Sequence, residues 1–406
     1  MRKINTLDFK RATRSTSRDI NRQILLNLVR EHQPISRADL ARMMEIGRGM
    51  VTTLTGELLA EGAIMEGDVG EAARGRKPTM LWVRTQDRLV VAVDVRFTRT
   101  YVMLSDFNGT EIALESFDTV TNPDELVAEI AARVETLVEG YAARWQVQGV
   151  GLVVPGMVDS GTGRILNSPQ LGWRDVDVRE ALEAALDLPV QIENAPIACA
   201  LAHMWLGERS DGAGDFVYVT VSDGVGAGMV VNGQVVRGHS HTAGEFGHIA
   251  LNPEGPRCLC GARGCFEAYT SNLATLGRYL GAEDISPAES RELLKRHDIT
   301  VTDLVRRARS GDERALSAIR ETGRYLGLGL SMIVNALNPS RIVVGGEITA
   351  GWDLIADLVR EEVEGRALTR AAAATPVIPE QTSTHPRLRG ATALVAAPLF
   401  AAPQVA

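Results

Sequence analysis

Three of this chain's four cysteines stand with a histidine at metal-ligand spacing. His248, Cys258, Cys260 and Cys265 read His-x9-Cys-x-Cys-x4-Cys. Gly261 and Gly264 lie inside the loop, where a tight chelating turn needs residues that tolerate positive φ. Four nitrogen and sulfur donors suit tetrahedral Zn²⁺ with no open position, so the expected metal is structural. The competing reading is a group of free thiols, buried or exposed. Because Gly244-Glu245-Phe246-Gly247-His248 runs into the loop, the stretch points to a zinc site built into a ligand pocket.

The elements that must position this stretch read as α/β. Leu89 to Val95, Thr100 to Leu104 and a run after Gly109 have strand character. A helix is expected from Pro123 to Arg144, then a strand over Val150 to Val154. A second set starts at Phe216 to Val221, turns through Gly224-Val225-Gly226-Ala227-Gly228, and returns as Met229 to Val231 before an Asn232-Gly233 hairpin turn. The long helical stretch from Glu313 to Asn335 suits a core or a dimer interface, and residues 366–388, rich in Ala, Thr and Pro, carry no pattern.

At 406 residues, two or three packing units are expected. No apolar run approaches the ~20 residues of a membrane span. Met1-Arg2-Lys3-Ile4-Asn5 leads into polar residues instead of a secretory signal, and the cysteines form no disulfide framework, so a cytoplasmic location is expected. The net charge of -8 is unevenly spread. Residues 1–88 hold 16 Lys and Arg against 11 Asp and Glu, leaving 27 against 40 for the remainder. A basic head on an acidic body implies that only the head meets a polyanion.

The head, residues 17–86, has the pattern of a winged helix-turn-helix. Ser17 is the expected cap of a first helix carrying Ile20, Ile24, Leu25, Leu28 and Val29, closed by Pro34. Ser36 caps a short second helix, Arg37 to Met44, and Gly47 precedes a third, Arg48 to Glu61. In the third, Val51, Leu54, Leu58 and Leu59 face inward, while Arg48, Thr52, Thr53 and Thr55 remain for the major groove of double-stranded DNA. Two strands follow, with Arg74, Arg76 and Lys77 on a Gly-flanked wing between them that can reach phosphates or a narrow minor groove. The expected DNA contacts are Ser36, Arg37, Arg48, Thr52, Thr53, Arg74, Arg76 and Lys77. Residues 1–16, with Lys3, Lys10, Arg11 and Arg14, read as a basic arm or a solvated tail. The bland alternative for the head is a three-helix packing module with a basic loop.

The run Val221-x2-Gly224-Val225-Gly226-x-Gly228-Met229-x8-Gly238-x5-Gly244-x2-Gly247-His248 resembles the signature of the ROK family of repressors and sugar kinases, and the cysteine cluster resembles its zinc loop. With the head, the match extends over nearly the whole chain and is similar to the family's transcriptional regulators. The resemblance implies that residues 87–406 form an actin-like body of two ribonuclease-H-like lobes, with a sugar cleft, a zinc loop at 248–265, and assembly as a homodimer or homotetramer. It also implies that Asn194, Glu245, His248 and Glu267 bond sugar hydroxyls. ROK kinases carry Asp-x-Gly-Gly-Thr after the first strand, where this chain has Asp94-Val95-Arg96-Phe97-Thr98. Their catalytic Asp lies in a Glu-Asn-Asp-Ala-Asn run, where this chain has Glu193-Asn194-Ala195-Pro196-Ile197.

Phosphoryl transfer needs a close phosphate cradle and a carboxylate base. Arg96 and Phe97 obstruct the first and Ala195 removes the second, so no catalytic residue is assigned. The paired Gly345-Gly346 resembles the family's nucleotide site but also suits packing. The expected protein is a sugar-responsive transcription factor. A sugar kinase and a ligand-independent DNA-binding protein are the alternatives. Asn167, Trp173, His239 and His241 are further candidates to border the cleft.

Overall fold

The computed structural model describes residues 14–69, 77–85, 88–141, 146–207, 214–282, 299–381 and 385–401, with 285, 289, 292–293 and 296–297 besides. Two compact units divide the chain, 1–88 with 396–406, and 89–395.

The smaller unit begins with helix α1 (Arg14–His32), strand β1 (Ile35–Ser36), helices α2 (Arg37–Met43) and α3 (Arg48–Ala60), and strands β2 (Ile64–Val69) and β3 (Thr79–Val83). Helix α1 starts before Ser17, which is exposed within it instead of capping it. Its buried face is Leu25, Leu26 and Val29, with Ile24 45% exposed. Three consecutive apolar residues leave the choice of inward face to tertiary packing, and that choice turned the helix away from the expected register. Ser36 does cap α2, its hydroxyl accepting from the Asp39 N–H, an interaction worth about 1 kcal/mol. The three strands form one antiparallel sheet in the order β1-β3-β2, which buries Ile35, Ile64 and Leu81 against Leu40, Val51, Leu54 and Leu58. The same unit takes in the chain's last described turn. The Gln23 side-chain amide donates to the Leu399 carbonyl at 2.8 Å, that of Asn27 to the Phe400 carbonyl at 2.8 Å, and the Arg30 guanidinium lies over the Phe400 ring.

The larger unit holds two sheets of one connectivity. Strands β4 (Arg88–Val95), β5 (Arg99–Asp106) and β6 (Glu111–Asp118) form an antiparallel meander. Helix α4 (Pro123–Glu139) follows and leads to β7 (Gln146–Val154), which lies beside β4. A small sheet of β8 (Met157–Asp159), β9 (Arg164–Ser168) and β10 (Trp173–Val176) and helix α5 (Arg179–Leu186) come next, before β11 (Val190–Asn194) pairs parallel to β7. Helix α6 (Ala195–Leu206) then leads to a second meander, β12 (Phe216–Val221), β13 (Val225–Val231) and β14 (Gln234–Val235).

Helices α7 (Phe266–Thr270), α8 (Asn272–Leu280), α9 (Val301–Arg309) and α10 (Glu313–Leu337) precede β15 (Arg341–Gly345), parallel to β12. Helices α11 (Trp352–Arg366) and α12 (Arg370–Ala373) precede β16 (Val377–Pro379), parallel to β15, and α13 (Pro386–Ala396) ends the unit. Each sheet is thus a meander extended on the side of its first strand, β11-β7-β4-β5-β6 and β16-β15-β12-β13-β14. Strand β12 is buried along its whole length and β4 from Leu89 onward, as for sheets covered on both faces. One core gathers Val91, Val93, Leu152 and Ile192, the other Val217, Val219, Ile319, Leu326 and Leu330. Helix α10 supplies much of the second core. The uninformative 366–388 stretch in fact supplies α12 and the edge strand β16. Among the described residues, no helix is long and apolar enough to cross a membrane.

Candidate effector pocket and metal centre

A cavity of about 80 Å³ opens between the two sheets of the larger unit, walled by the β11–α6 junction, the turn Gly224-Val225-Gly226, and the residues Glu245, His248 and Glu267. Asn194, Glu245, His248 and Glu267 all line it, and so does Ala195.

Each wall residue is held by a local device. Asn194 ends β11 and caps α6, its Oδ1 accepting from the Ile197 N–H at 3.0 Å. Its own N–H donates to Glu193 Oε1 at 2.9 Å. Glu193 is 1% exposed and ion-paired with Arg237. Burial pushes the Glu193 carboxyl above its ordinary range, and the Arg237 charge works against that. The turn Phe246–His248 packs on β13 at Gly247, where a Cβ would lie 1.9 Å from the Val225 carbonyl oxygen. That contact fixes the side chains on either side of it. Glu267, near the start of α7, accepts the Val225 N–H at 2.9 Å. Burial raises its carboxyl and that of Glu245, with His248 opposing both.

Behind this wall the donor atoms of His248, Cys258, Cys260 and Cys265 all lie within 4.8 Å of one another. His248 Nδ1 is 3.6 Å from Cys258 Sγ, and Cys260 Sγ is 3.8 Å from Cys265 Sγ. Tetrahedral zinc, with bonds of about 2.3 Å to sulfur and about 2.0 Å to nitrogen, sets donor separations of about 3.5–3.8 Å, so the set fits that ion. The loop is a small hairpin. The Gly261 N–H donates to the Cys258 carbonyl, the Cys258 N–H to the Ala262 carbonyl, and Gly261 and Gly264 have φ of +96° and +68°, the conformation their positions called for. Burial and the Glu267 carboxylate push the Cys258 thiol far up, and burial and Cys260 push Cys265 up to about 11. A dication among the donors reverses that preference and makes thiolates of them. Because Nδ1 faces the cysteines, the other imidazole nitrogen is the one near Glu245, with Nε2 3.8 Å from its Oε2.

Gln170, Ser222 and Arg387 also line the cavity, and the sequence reading missed them. Arg387 pairs with Asp94 at 2.7 Å and donates to the Val95 carbonyl and to Ser222 Oγ. It lies in the stretch without pattern, and only the fold brings it here. Asn167 and Trp173 are not among the lining residues. Trp173 is a packing anchor, 4% exposed, with its indole N–H on the Thr121 carbonyl. His239 is exposed, while His241 reaches Asp159 Oδ1 at 3.4 Å and Ser160 Oγ at 3.2 Å. Gly345 and Gly346 serve close packing, since a Cβ on Gly346 would meet the Val221 carbonyl oxygen at 1.8 Å.

In the smaller unit, Arg48, Thr52 and Thr53 lie on one exposed face of α3, and Lys77 is exposed. Arg74 and Arg76, like Lys3, Lys10 and Arg11, fall outside the described residues. Ser36 and Arg37, also named as DNA contacts, are engaged within the unit. Ser36 is 3% exposed and its hydroxyl is taken up by Asp39, while Arg37 binds Thr55 Oγ1 at 3.1 Å and Glu66 at 2.6 Å. Thr55, expected outward, is buried to receive that guanidinium.

Residues 90–397 match the ROK family. The xylose repressor of Bacillus subtilis is 27% identical over 382 residues, covering 93% of this chain and 94% of its own. The structure of a ROK family transcriptional regulator, a homologue of the Escherichia coli Mlc protein, superposes with a TM-score of 0.78 at 26% identity, covering 95% of this chain and 97% of that one. A ROK family glucokinase from Streptomyces griseus, solved with glucose and AMPPNP, superposes with a TM-score of 0.65 at 28% identity, covering 98% of its own chain but 75% of this one. The regulators thus match head and body, the kinase three quarters of the chain. The larger unit is the actin-like kinase body with its duplicated sheet, and the chain belongs to the ROK family.

Proposed function

We propose that this protein is a DNA-binding transcriptional repressor controlled by a sugar or sugar derivative held in a kinase-like cleft that has lost its chemistry. The observation that carries the reading is the cavity itself. Carboxylates, an imidazole and an amide converge on it to grip hydroxyls, and Ala195 stands where ROK kinases have their catalytic Asp. Arg96, in place of a kinase glycine, is ion-paired to Asp94 and Glu347 where a phosphate would need open backbone. The four-donor cluster holds a structural zinc that fixes His248 by one nitrogen and leaves the other for the ligand. With Ala195 in place of the family's Asp, the cavity loses a polar contact and favours a less polar or modified sugar.

The smaller unit is a winged helix-turn-helix, with α3 as its recognition helix and Lys77, with Arg74 and Arg76, as its wing. A homodimer or homotetramer in the cytoplasm presents two such heads to two half-sites of an operator. Effector binding acts on DNA only by favouring one arrangement of the protein over another. A thermal-shift screen over sugars and sugar phosphates, followed by operator binding with and without the hit, tests the reading. A stabilising sugar that changes operator affinity is expected. Nucleotide turnover on any sugar of the panel, or operator binding that no stabilising sugar alters, overturns it.

A further inference from the structure

One charged cluster lies beside the effector cavity and borders it through Arg387. Asp94, wholly buried at the end of β4, binds Arg96 Nε through Oδ2 at 2.7 Å and Arg387 through Oδ1 at 2.7 Å. Arg96 then reaches from the first sheet to the second, where its Nη1 meets Glu347 Oε1 at 3.0 Å, just beyond β15. Glu347 is held from its own side, because Asn272 Nδ2 donates to its Oε2 at 2.9 Å. The Phe97 N–H crosses at the same place to Asp223 Oδ2 at 3.3 Å. Behind the cluster lies a cavity of about 150 Å³ that shares Thr220, Ser222 and Arg387 with the effector cavity.

We infer that Arg96 is the positioning residue that latches the two lobes, a cation anchored to the first by Asp94 and received by Glu347 of the second. Three features separate this pair from a surface ion pair. Asp94 is fully buried and cannot follow Glu347 if the lobes part. Arg96 and Glu347 are only 20% and 23% exposed, so solvent screens them incompletely. The Tyr101 ring covers the guanidinium, 4.8 Å from its carbon, and limits the positions it can take. The effector cavity draws Asn194 from one lobe and Glu245, His248 and Glu267 from the other, and its walls face each other with the latch made. A ligand gripped by both walls favours the latched arrangement, so latch and effector support each other.

The inference rests on the cavity being the effector site, and its test separates the two. Arg96→Met and Glu347→Gln each remove the crossing charge, the second at a partly exposed position that leaves the buried cluster in place. Each weakens the sugar found in the thermal-shift screen by roughly fivefold, the low end of coupling between linked sites, measured by calorimetric titration. The double variant is no weaker than either single one, and Arg96→Lys recovers part of the loss. Additive losses, or unchanged affinity, overturn the latch. Hydrogen exchange at the Phe97 amide, bonded to Asp223 across the same junction, reads the closed arrangement without any sugar and speeds up in both variants. If no sugar binds the native protein, the effector reading fails, and unchanged Phe97 exchange would then overturn the latch on its own.

Discussion

Replacing Arg237 by Met strands a carboxylate inside the protein. Glu193 is 1% exposed, and Arg237, itself 30% exposed, is its ion-pair partner. Breaking a buried pair from one side costs about 3–5 kcal/mol. The partial exposure of Arg237 brings that to about 2–3 kcal/mol at neutral pH, since water already screens part of the attraction. For a unit this large, the loss lowers Tm by roughly 5 °C. Its pH dependence is the sharper mark. Burial already holds Glu193 above the ordinary carboxylate value of 4.5, and without Arg237 it rises further.

A carboxyl raised in the folded state favours folding while it is protonated. Its contribution is therefore full below 4.5 and is lost as the pH climbs towards the folded value. Arg237→Met accordingly loses little at the acid end, and the gap to the native protein widens as pH rises. Thermal or urea unfolding at steps from about pH 4.5 to 8 measures the gap, and Glu193→Gln in the Arg237→Met background flattens it. A gap constant across that range, or one that Glu193→Gln leaves pH-dependent, refutes the reasoning. Sugar affinity falls with stability, because Glu193 Oε1 receives the Asn194 N–H and so sets one wall of the cavity.

Gly264→Ala places a methyl group 1.5 Å from the Asn252 carbonyl oxygen at a φ of +68°, and the chelating loop must open to admit it. Metal content of the purified variant drops well below one equivalent per chain, and retention of native content would show that the loop does not depend on this turn. Arg48→Ala lowers the salt slope of binding to a DNA duplex by about one unit, while Arg37→Ala leaves the slope unchanged because its guanidinium is spent on Glu66 and Thr55. Equal slopes for the two variants would place the phosphate contacts elsewhere.

The chemistry of the site was readable where it is local. His248 and the three cysteines span 18 residues, glycines mark the turns between them, and the donor set needs no long-range information to be recognised. The meanders were readable for the same reason, since strand, turn and strand follow one another. Contacts made by distant segments left no trace. Arg387 is nearly 200 residues from Asn194, yet both border one cavity. Arg37 is a further case: its chemistry suits DNA at the start of a helix, and only packing reveals that it ties α2 to α3 and β2. In α1, helical periodicity was clear but its phase was not, because Ile24, Leu25 and Leu26 offer two apolar faces.

The closing turn at Ala397–Leu399 has a consequence for the order of assembly. Gln23 and Asn27 meet their carbonyl partners across 376 and 373 residues of chain. Synthesised in chain order, the smaller unit waits for the whole larger unit to be made before α1 finds these carbonyl partners. A nascent chain interrupted within the larger unit carries an α1 whose Gln23 and Asn27 amides have no Leu399 or Phe400 carbonyl to bind.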